Sequence, residues 1–302
     1  MKANSRRRWW RAGTLCFCAA LLLPDTARAQ TEIHAFTEVI QGHLVGGVSV
    51  DAIGNVFVAD FGDTVWRISP EGERRELASG LYGASGNAID QEGNLLQSSY
   101  YGDYVTKIDR KGQATPFATH GLSGPVGIAI NKQTGDVYVA NCRGNTVSRI
   151  ASDRTVSTFA ASDLFHCPNG IVADDSGNLY VVNVRDNRML KVDPQGAVTL
   201  FATVSAKGLA HLCFKKDRFY VTAYESHEIY EVSLRGAVKR LLGNGQQDIV
   251  DGAAATARLS FPNGIACYPW APWLYIDEDL DGSETALPRR MIVRKIVIKP
   301  DK

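Results

Sequence analysis

The run Asp277-Glu278-Asp279-Leu280-Asp281-Gly282 carries the residue types of a cation loop. Side-chain oxygens at the first, third and fifth places of such a loop converge on one hard cation, and the glycine permits the sharp turn that follows. Asp277, Asp279 and Asp281 are therefore candidate calcium ligands. The place where a complete helix–loop–helix site needs a bidentate glutamate is held by Pro288, so a truncated loop is expected, and a solvated acidic loop is the other reading of the same residues. Four cysteines outside the N-terminal segment, Cys142, Cys167, Cys213 and Cys267, form no Cys-x-x-Cys pair, which indicates neither a zinc ribbon nor a thioredoxin motif. No Gly-x-Ser-x-Gly elbow is present, and no serine–histidine–aspartate arrangement can be assembled.

What positions these residues is a repeat. A short apolar strand recurs, led by glycine or its equivalent, at Gly47, Gly86, Gly127, Gly170, Ala210 and Gly264, with spacings of 39, 41, 43, 40 and 54 residues. Each is followed by a polar turn and a second strand, such as Val56-Phe-Val-Ala-Asp60 or Val137-Tyr-Val-Ala-Asn141, and then by a third, such as Val65-Trp-Arg-Ile68. Apolar and polar residues alternate, as half-buried strands require. A fourth strand is marked by Leu77, Phe117, Phe159, Phe201 and Leu241. The sixth unit lacks it, because the chain reaches Lys302 just after the third strand, but Phe36 stands at the marker position near the start. Repeats of about 40 residues with four strands each predict an all-β fold, a six-bladed β-propeller of four-stranded antiparallel blades. The mature N-terminal strand is expected to close the last blade and hide its edges. Blades are expected to start near residues 45, 84, 125, 168, 208 and 262 of a single domain spanning 30–302.

In such a ring the first strands line the central channel, and the loops entering strand one and leaving strand two share one face. That face brings distant residues together. His43 and His166 each stand four residues before a leading glycine, in blades across the ring from each other, with Tyr82, Ser123 and Ser260 at equivalent places. The loops after strand two add Asp60, Phe61, Tyr100, Tyr101, Asn141, Arg143, Asn183, Arg185, Tyr224 and Glu225. Aromatics and arginines on one rim suit a planar or acidic small molecule or a peptide. Cys142 closes strand two of blade three and Cys167 opens strand one of blade four, so a disulfide between them is geometrically feasible. Cys213 and Cys267 are expected to be buried as small hydrophobes, and His211 to be packed within its strand.

The units resemble NHL repeats and the related senescence-marker-protein/gluconolactonase and strictosidine-synthase-like propellers, over residues 33–299. The most specific stretch is Leu242–Ala266, a Gly-rich turn and Asp251-Gly252 before Phe261-Pro-Asn-Gly264, which also accounts for the 54-residue spacing. The resemblance implies the fold; function varies on this scaffold among lactonases, lyases, synthases and binding modules. Gluconolactonase-like members hold a divalent cation through the residue before each leading glycine. Here that series reads Gly46, Ser85, Val126, Asn169, Leu209 and Asn263. Only Asn169 matches the family pattern, so the resemblance implies loss of the central metal site, and the lack of histidine in the series argues against the zinc of amidating-lyase members. Ser85, Asn169 and Asn263 remain candidate pocket residues, although Pro-Asn-Gly is also a good turn before a strand.

The N-terminus reads as an export signal over residues 1–29: a basic start at Arg6-Arg-Arg-Trp-Trp-Arg11, an apolar run from Ala12 to Leu23, and Ala27-Arg-Ala29. An arginine-rich secretion signal and the twin-arginine pattern both fit. The apolar run is too short to span a bilayer. Without the signal the chain carries 27 basic and 31 acidic residues, a net charge of about −4, which gives no nucleic-acid footprint. The expectation is a periplasmic or secreted monomer with no membrane span, binding a small molecule, glycan or protein partner on its top face, with calcium as the cofactor to look for. A metal-dependent lactonase-like hydrolase or lyase with a rearranged site is the alternative.

Overall fold

The computed structural model describes residues 31–38, 40–282 and 288–299; the export signal read over 1–29 lies outside them. Six antiparallel sheets succeed one another along the chain. Their first strands are Val48–Val50, Ala84–Ile89, Pro125–Ile130, Pro168–Ala173, Leu209–Lys215 and Pro262–Cys267. Blades one to five are simple four-stranded meanders. The turn between strands one and two is written in the sequence as Asp-x-x-Gly-Asn: Asp51, Asp90 and Asp174 each accept the backbone N–H of the asparagine four residues on, at 2.8, 2.8 and 2.9 Å. The core lies between blades, where one sheet's apolar face meets the next, as Tyr180, Met189 and Val204 of blade four meet Leu212, Phe219 and Val221 of blade five.

The ring closes as the repeat predicted. The strand Glu32–Ala35 pairs antiparallel with Arg289–Val297, Glu32 opposite Val297 and Ala35 opposite Arg294. Phe36 N–H donates to the Val293 carbonyl at 2.9 Å. Its ring lies 4.9 Å from Tyr275, as the marker rings Phe159 and Phe201 lie 4.8 and 4.9 Å from Tyr138 and Tyr180. Blade six has more strands than the repeat foretold. Ile40–Gly42 also pairs with the long third strand, and Gly252–Ala253 of the inserted segment adds itself outside Glu32–Ala35.

One register differs from the sequence reading. In blades two to six the first and second strands share a bulge, pairing Pro168 with Asn183 and Ile171 with Val181 in blade four, and Leu209 with Ala223 and Leu212 with Val221 in blade five. His211, not Ala210, therefore occupies the leading-glycine place, and Ala210 rather than Leu209 stands before it. A Cβ built on Gly170 would lie 2.6 Å from the His211 Cα, and one on Gly47 the same distance from the Gly86 Cα. Neighbouring first strands are thus too close for side chains there, and blade five departs from that rule.

Both cysteine pairs are disulfides. Cys142–Cys167 joins blades three and four as expected. Cys213 and Cys267 are not free hydrophobes but bonded to each other, joining the first strands of blades five and six with Cα atoms 5.6 Å apart. The one-residue register error at His211 concealed the pairing, because it set the two cysteines at equivalent heights and not offset across the interface.

Candidate functional site

The rim over blades one to three gathers several of the residues singled out in the sequence. After the second strand Val56–Ala59, the chain turns through Asp60 and Phe61, with Phe61 in the left-handed region at φ 52°. Its ring lies 5.6 Å from Tyr100 and 5.7 Å from Tyr101. Tyr101 meets Tyr100 at 5.1 Å and Tyr82 at 5.5 Å. These tilted and edge-on contacts fix the rings relative to one another, yet Tyr82 and Tyr101 remain 61% and 50% exposed, so the cluster is a platform and not a core. The Arg143 guanidinium lies 5.1 Å over the Tyr100 ring and donates to Asp103 at 2.5 Å and to the Tyr100 carbonyl at 3.2 Å.

His43 and His166 each have an aspartate partner. His43 Nδ1 lies 3.2 Å from Asp60 Oδ2, whose carboxyl is almost fully buried. His166 Nδ1 lies 2.9 Å from Asp186 Oδ2, and the Arg188 guanidinium reaches the same ring nitrogen at 3.0 Å. Burial works to raise the Asp186 carboxyl, but hydrogen bonds from Arg188 and Asn183 outweigh it and hold it below the usual range. Arg185 is exposed beside this pair, its N–H donating to the His166 carbonyl at 3.4 Å.

Other candidates have structural work. Asn263 donates to the carbonyls of Val45 and Gly46 at 3.0 and 2.7 Å, tying blade six to blade one. Ser85 is buried and its carbonyl accepts the Gly47 N–H at 2.9 Å. Asn169 keeps a buried side-chain oxygen without a hydrogen-bond partner. With Ala210 restored to its place, the series before the leading residues still contains no carboxylate. Tyr224 opens the short turn after blade five's second strand and donates to Asp279 at 3.1 Å. Burial, then the Asp279 charge, raises its hydroxyl above the ordinary range.

The acidic run is corrected. Asp277 and Asp279 lie within the strand Trp273–Asp279, not in a loop. Asp279 meets Arg289 at 2.5 Å, and Asp281 accepts from Arg290 Nε at 2.8 Å. Asp277 accepts the Gly264 N–H at 2.6 Å, and burial pushes its carboxyl well above the usual range. A strand cannot wrap its oxygens around one ion as a loop does, and guanidinium groups stand where the cation would. The one described group of His, Asp and Glu able to hold a metal is instead His43, Asp60 and Asp63, whose ligand atoms all lie within 4.8 Å of one another. Sequence reading named His43 and Asp60 for the rim but did not join them, since only the fold brings two loops of one blade together.

His211 is a buried titratable group within the first strand of blade five. Burial depresses its imidazole from 6.5 to about 4. The unfolded chain binds the proton first as pH falls, so this stability is present above pH 6.5 and is lost toward pH 4. The loss amounts to roughly 3 kcal/mol. Urea midpoints of the wild type and of His211→Gln, followed from pH 7 to pH 4, should converge by that amount; parallel pH profiles would show that the ring takes up protons freely.

Comparison with known proteins supports the architecture. No protein-family profile and no curated protein sequence matches the chain. Solved structures do. A protein of unknown function from Bacteroides thetaiotaomicron superposes with a TM-score of 0.75 at 13% identity, covering 89% of this chain and 76% of the other. An auxiliary nutrient binding protein from the same organism gives 0.72 at 15%, covering 88% and 76%. A gluconolactonase from Xanthomonas campestris gives 0.66 at 15%, covering 87% and 89%. At these identities the likeness establishes the propeller fold, of the shape seen in gluconolactonase-like proteins.

Proposed function

We propose that this chain is an exported binding propeller whose rim over blades one to three holds a small molecule or glycan. The observation that carries the reading is the cluster of Phe61, Tyr82, Tyr100 and Tyr101, half-open to solvent and flanked by Arg143. Exposed, mutually braced rings offer flat apolar faces at little ordering cost, and the C–H face of a sugar ring or a planar ligand fills them. Two disulfides suit an oxidising compartment such as the periplasm or the cell exterior. Among the described residues no helix is long and apolar enough to cross a membrane. A nutrient binding protein is among the proteins that share the fold.

The test is calorimetry against a panel of oligosaccharides and planar acids. Tyr101→Ala should weaken the best ligand about tenfold, since each stacked ring contributes ~0.5–1.5 kcal/mol beyond its buried area. Unchanged affinity in a Tyr82→Ala/Tyr101→Ala double variant would move the ligand off this platform. The hydrolase or lyase reading rests on the two histidine–aspartate pairs, in which a carboxylate orients an imidazole as a general base requires. Turnover on a lactone panel that is lost in His166→Gln would favour it.

A further inference from the structure

We infer that His43, Asp60 and Asp63 form a binding site for a divalent cation of the zinc class on the rim of blade one, separate from the central axis of the propeller. Three observations converge on it.

The first is spacing. The His43 Nδ1–Asp60 Oδ2 distance of 3.2 Å is close to the ~3.3 Å edge of a tetrahedron built on zinc bonds of about 2.0–2.1 Å. Asp63 brings a third oxygen within the same 4.8 Å cluster. An ion can therefore replace the shared proton with little movement of either group.

The second is charge. The Asp60 side chain is 2% exposed, and a buried carboxylate needs a positive partner. Its counterparts on the same rim have guanidinium groups: Asp103 has Arg143, Asp186 has Arg188, Asp279 has Arg289 and Asp281 has Arg290. Asp60 forms no ion pair with lysine or arginine among the described residues, only with the His43 ring. Its Oδ1 is occupied by the N–H groups of Gly62 and Thr64 at 2.8 and 3.1 Å, which leaves Oδ2 aimed at His43. Thr64 Oγ1 donates to Asp63 Oδ1 at 2.8 Å and holds that carboxylate in turn. Both oxygen ligands thus already have the hydrogen-bonded support that orients metal ligands.

The third is Gly62. Its backbone is outside the left-handed region, so conformation does not demand glycine. A Cβ there would lie 1.9 Å from His43 Nδ1. The glycine makes room for the imidazole over the loop.

One imidazole and two carboxylates suit zinc or cobalt(II). They are too few oxygens for calcium, which takes six to eight. His43 is half-exposed and Asp63 exposed, so the group opens toward solvent, with Phe61 of the aromatic platform next to Asp60 in the chain. The site stands independently of what that platform binds.

The probe is cobalt(II), titrated into chelator-stripped protein made without a polyhistidine tag, with zinc as competitor. One equivalent should bind with the intense visible bands of tetrahedral cobalt, and zinc should displace it. His43→Ala and Asp63→Asn replace exposed groups and keep the fold, as the melting curve will verify; each should weaken cobalt at least about 100-fold. Thr64→Val should weaken it about tenfold, through loss of support to Asp63. No cobalt bands, bands unchanged in His43→Ala, or displacement by calcium in preference to zinc would each overturn the assignment.

Discussion

Arg294→Met is expected to lower the stability of the folded chain by about 3–5 kcal/mol. The side chain is fully buried, yet each of its nitrogens is satisfied. Nε and Nη2 donate to Asp251 at 3.0 and 2.7 Å, Nη1 to Glu278 and to the Arg258 carbonyl at 2.9 Å each, and Nη2 to the Val250 carbonyl at 2.8 Å. One guanidinium thus joins the third strand of blade six, that blade's second strand, and the inserted segment between blades five and six. Methionine fills much of the volume but strands the Glu278 carboxyl, which is also fully buried. Burial has already raised that carboxyl to about 7 against the pull of Arg294, so without the arginine it must take up a proton to fold and keeps only the Ser260 N–H, at 2.8 Å, as a partner. Glu278→Gln on the Arg294→Met background should recover most of the loss, because no buried carboxyl then has to be protonated at neutral pH. Denaturation in urea measures both. A single variant within about 1 kcal/mol of the wild type would mean that strand pairing and packing hold the inserted segment without the arginine.

How far this arrangement could be read in advance depends on what repeats. Blade number, strand order and the closing strand follow from a period that the chain states six times, and Phe36 fits because its ring has the same partner as Phe159 and Phe201. Arg294 and Glu278 are a buried pair in strands that also carry Asp277, Asp279, Arg290 and Lys295, and the residue types do not show which of these charges the fold buries against each other. Where the other five blades have glycine, blade five has the His211 ring, and matching small residue to small residue chose Ala210 instead. That single slip also hid the Cys213–Cys267 bond. The rim was legible as a set of residue types, since loops of like position must share a face, but the pairing of His43 with Asp60 depends on side-chain direction in two irregular loops. The acidic run misled for a physical reason. Alternating carboxylates read as a loop only when the strand does not bury them, and here Asp277 is buried on the Gly264 N–H while Arg289 on the neighbouring strand permits the burial of Asp279.

Removing the Cys213–Cys267 bond should cost about 4 kcal/mol, slightly more than removing Cys142–Cys167, since the loop-entropy relation grows with the residues enclosed. The separations are 54 and 25 residues. The two loops do not overlap in sequence, so their contributions should add. The folded interface between blades five and six should survive the loss of its bond. Thr222 Oγ1 still accepts the His211 N–H at 3.0 Å and donates to the Asn263 carbonyl at 2.5 Å, and Lys215 still donates to the Pro269 carbonyl at 3.0 Å. The effect therefore belongs to the unfolded chain, which gains freedom when the cross-link goes. This separates it from Arg294→Met, whose effect belongs to the folded state. In urea, Cys213→Ala/Cys267→Ala should lower the midpoint and steepen the transition, because a chain without the cross-link exposes more surface on unfolding. Arg294→Met should lower the midpoint at unchanged slope. A double cysteine variant that shifts the midpoint with no change in slope would place the contribution in the folded interface, and alkylation of two free thiols in the oxidised wild type would remove the bond altogether.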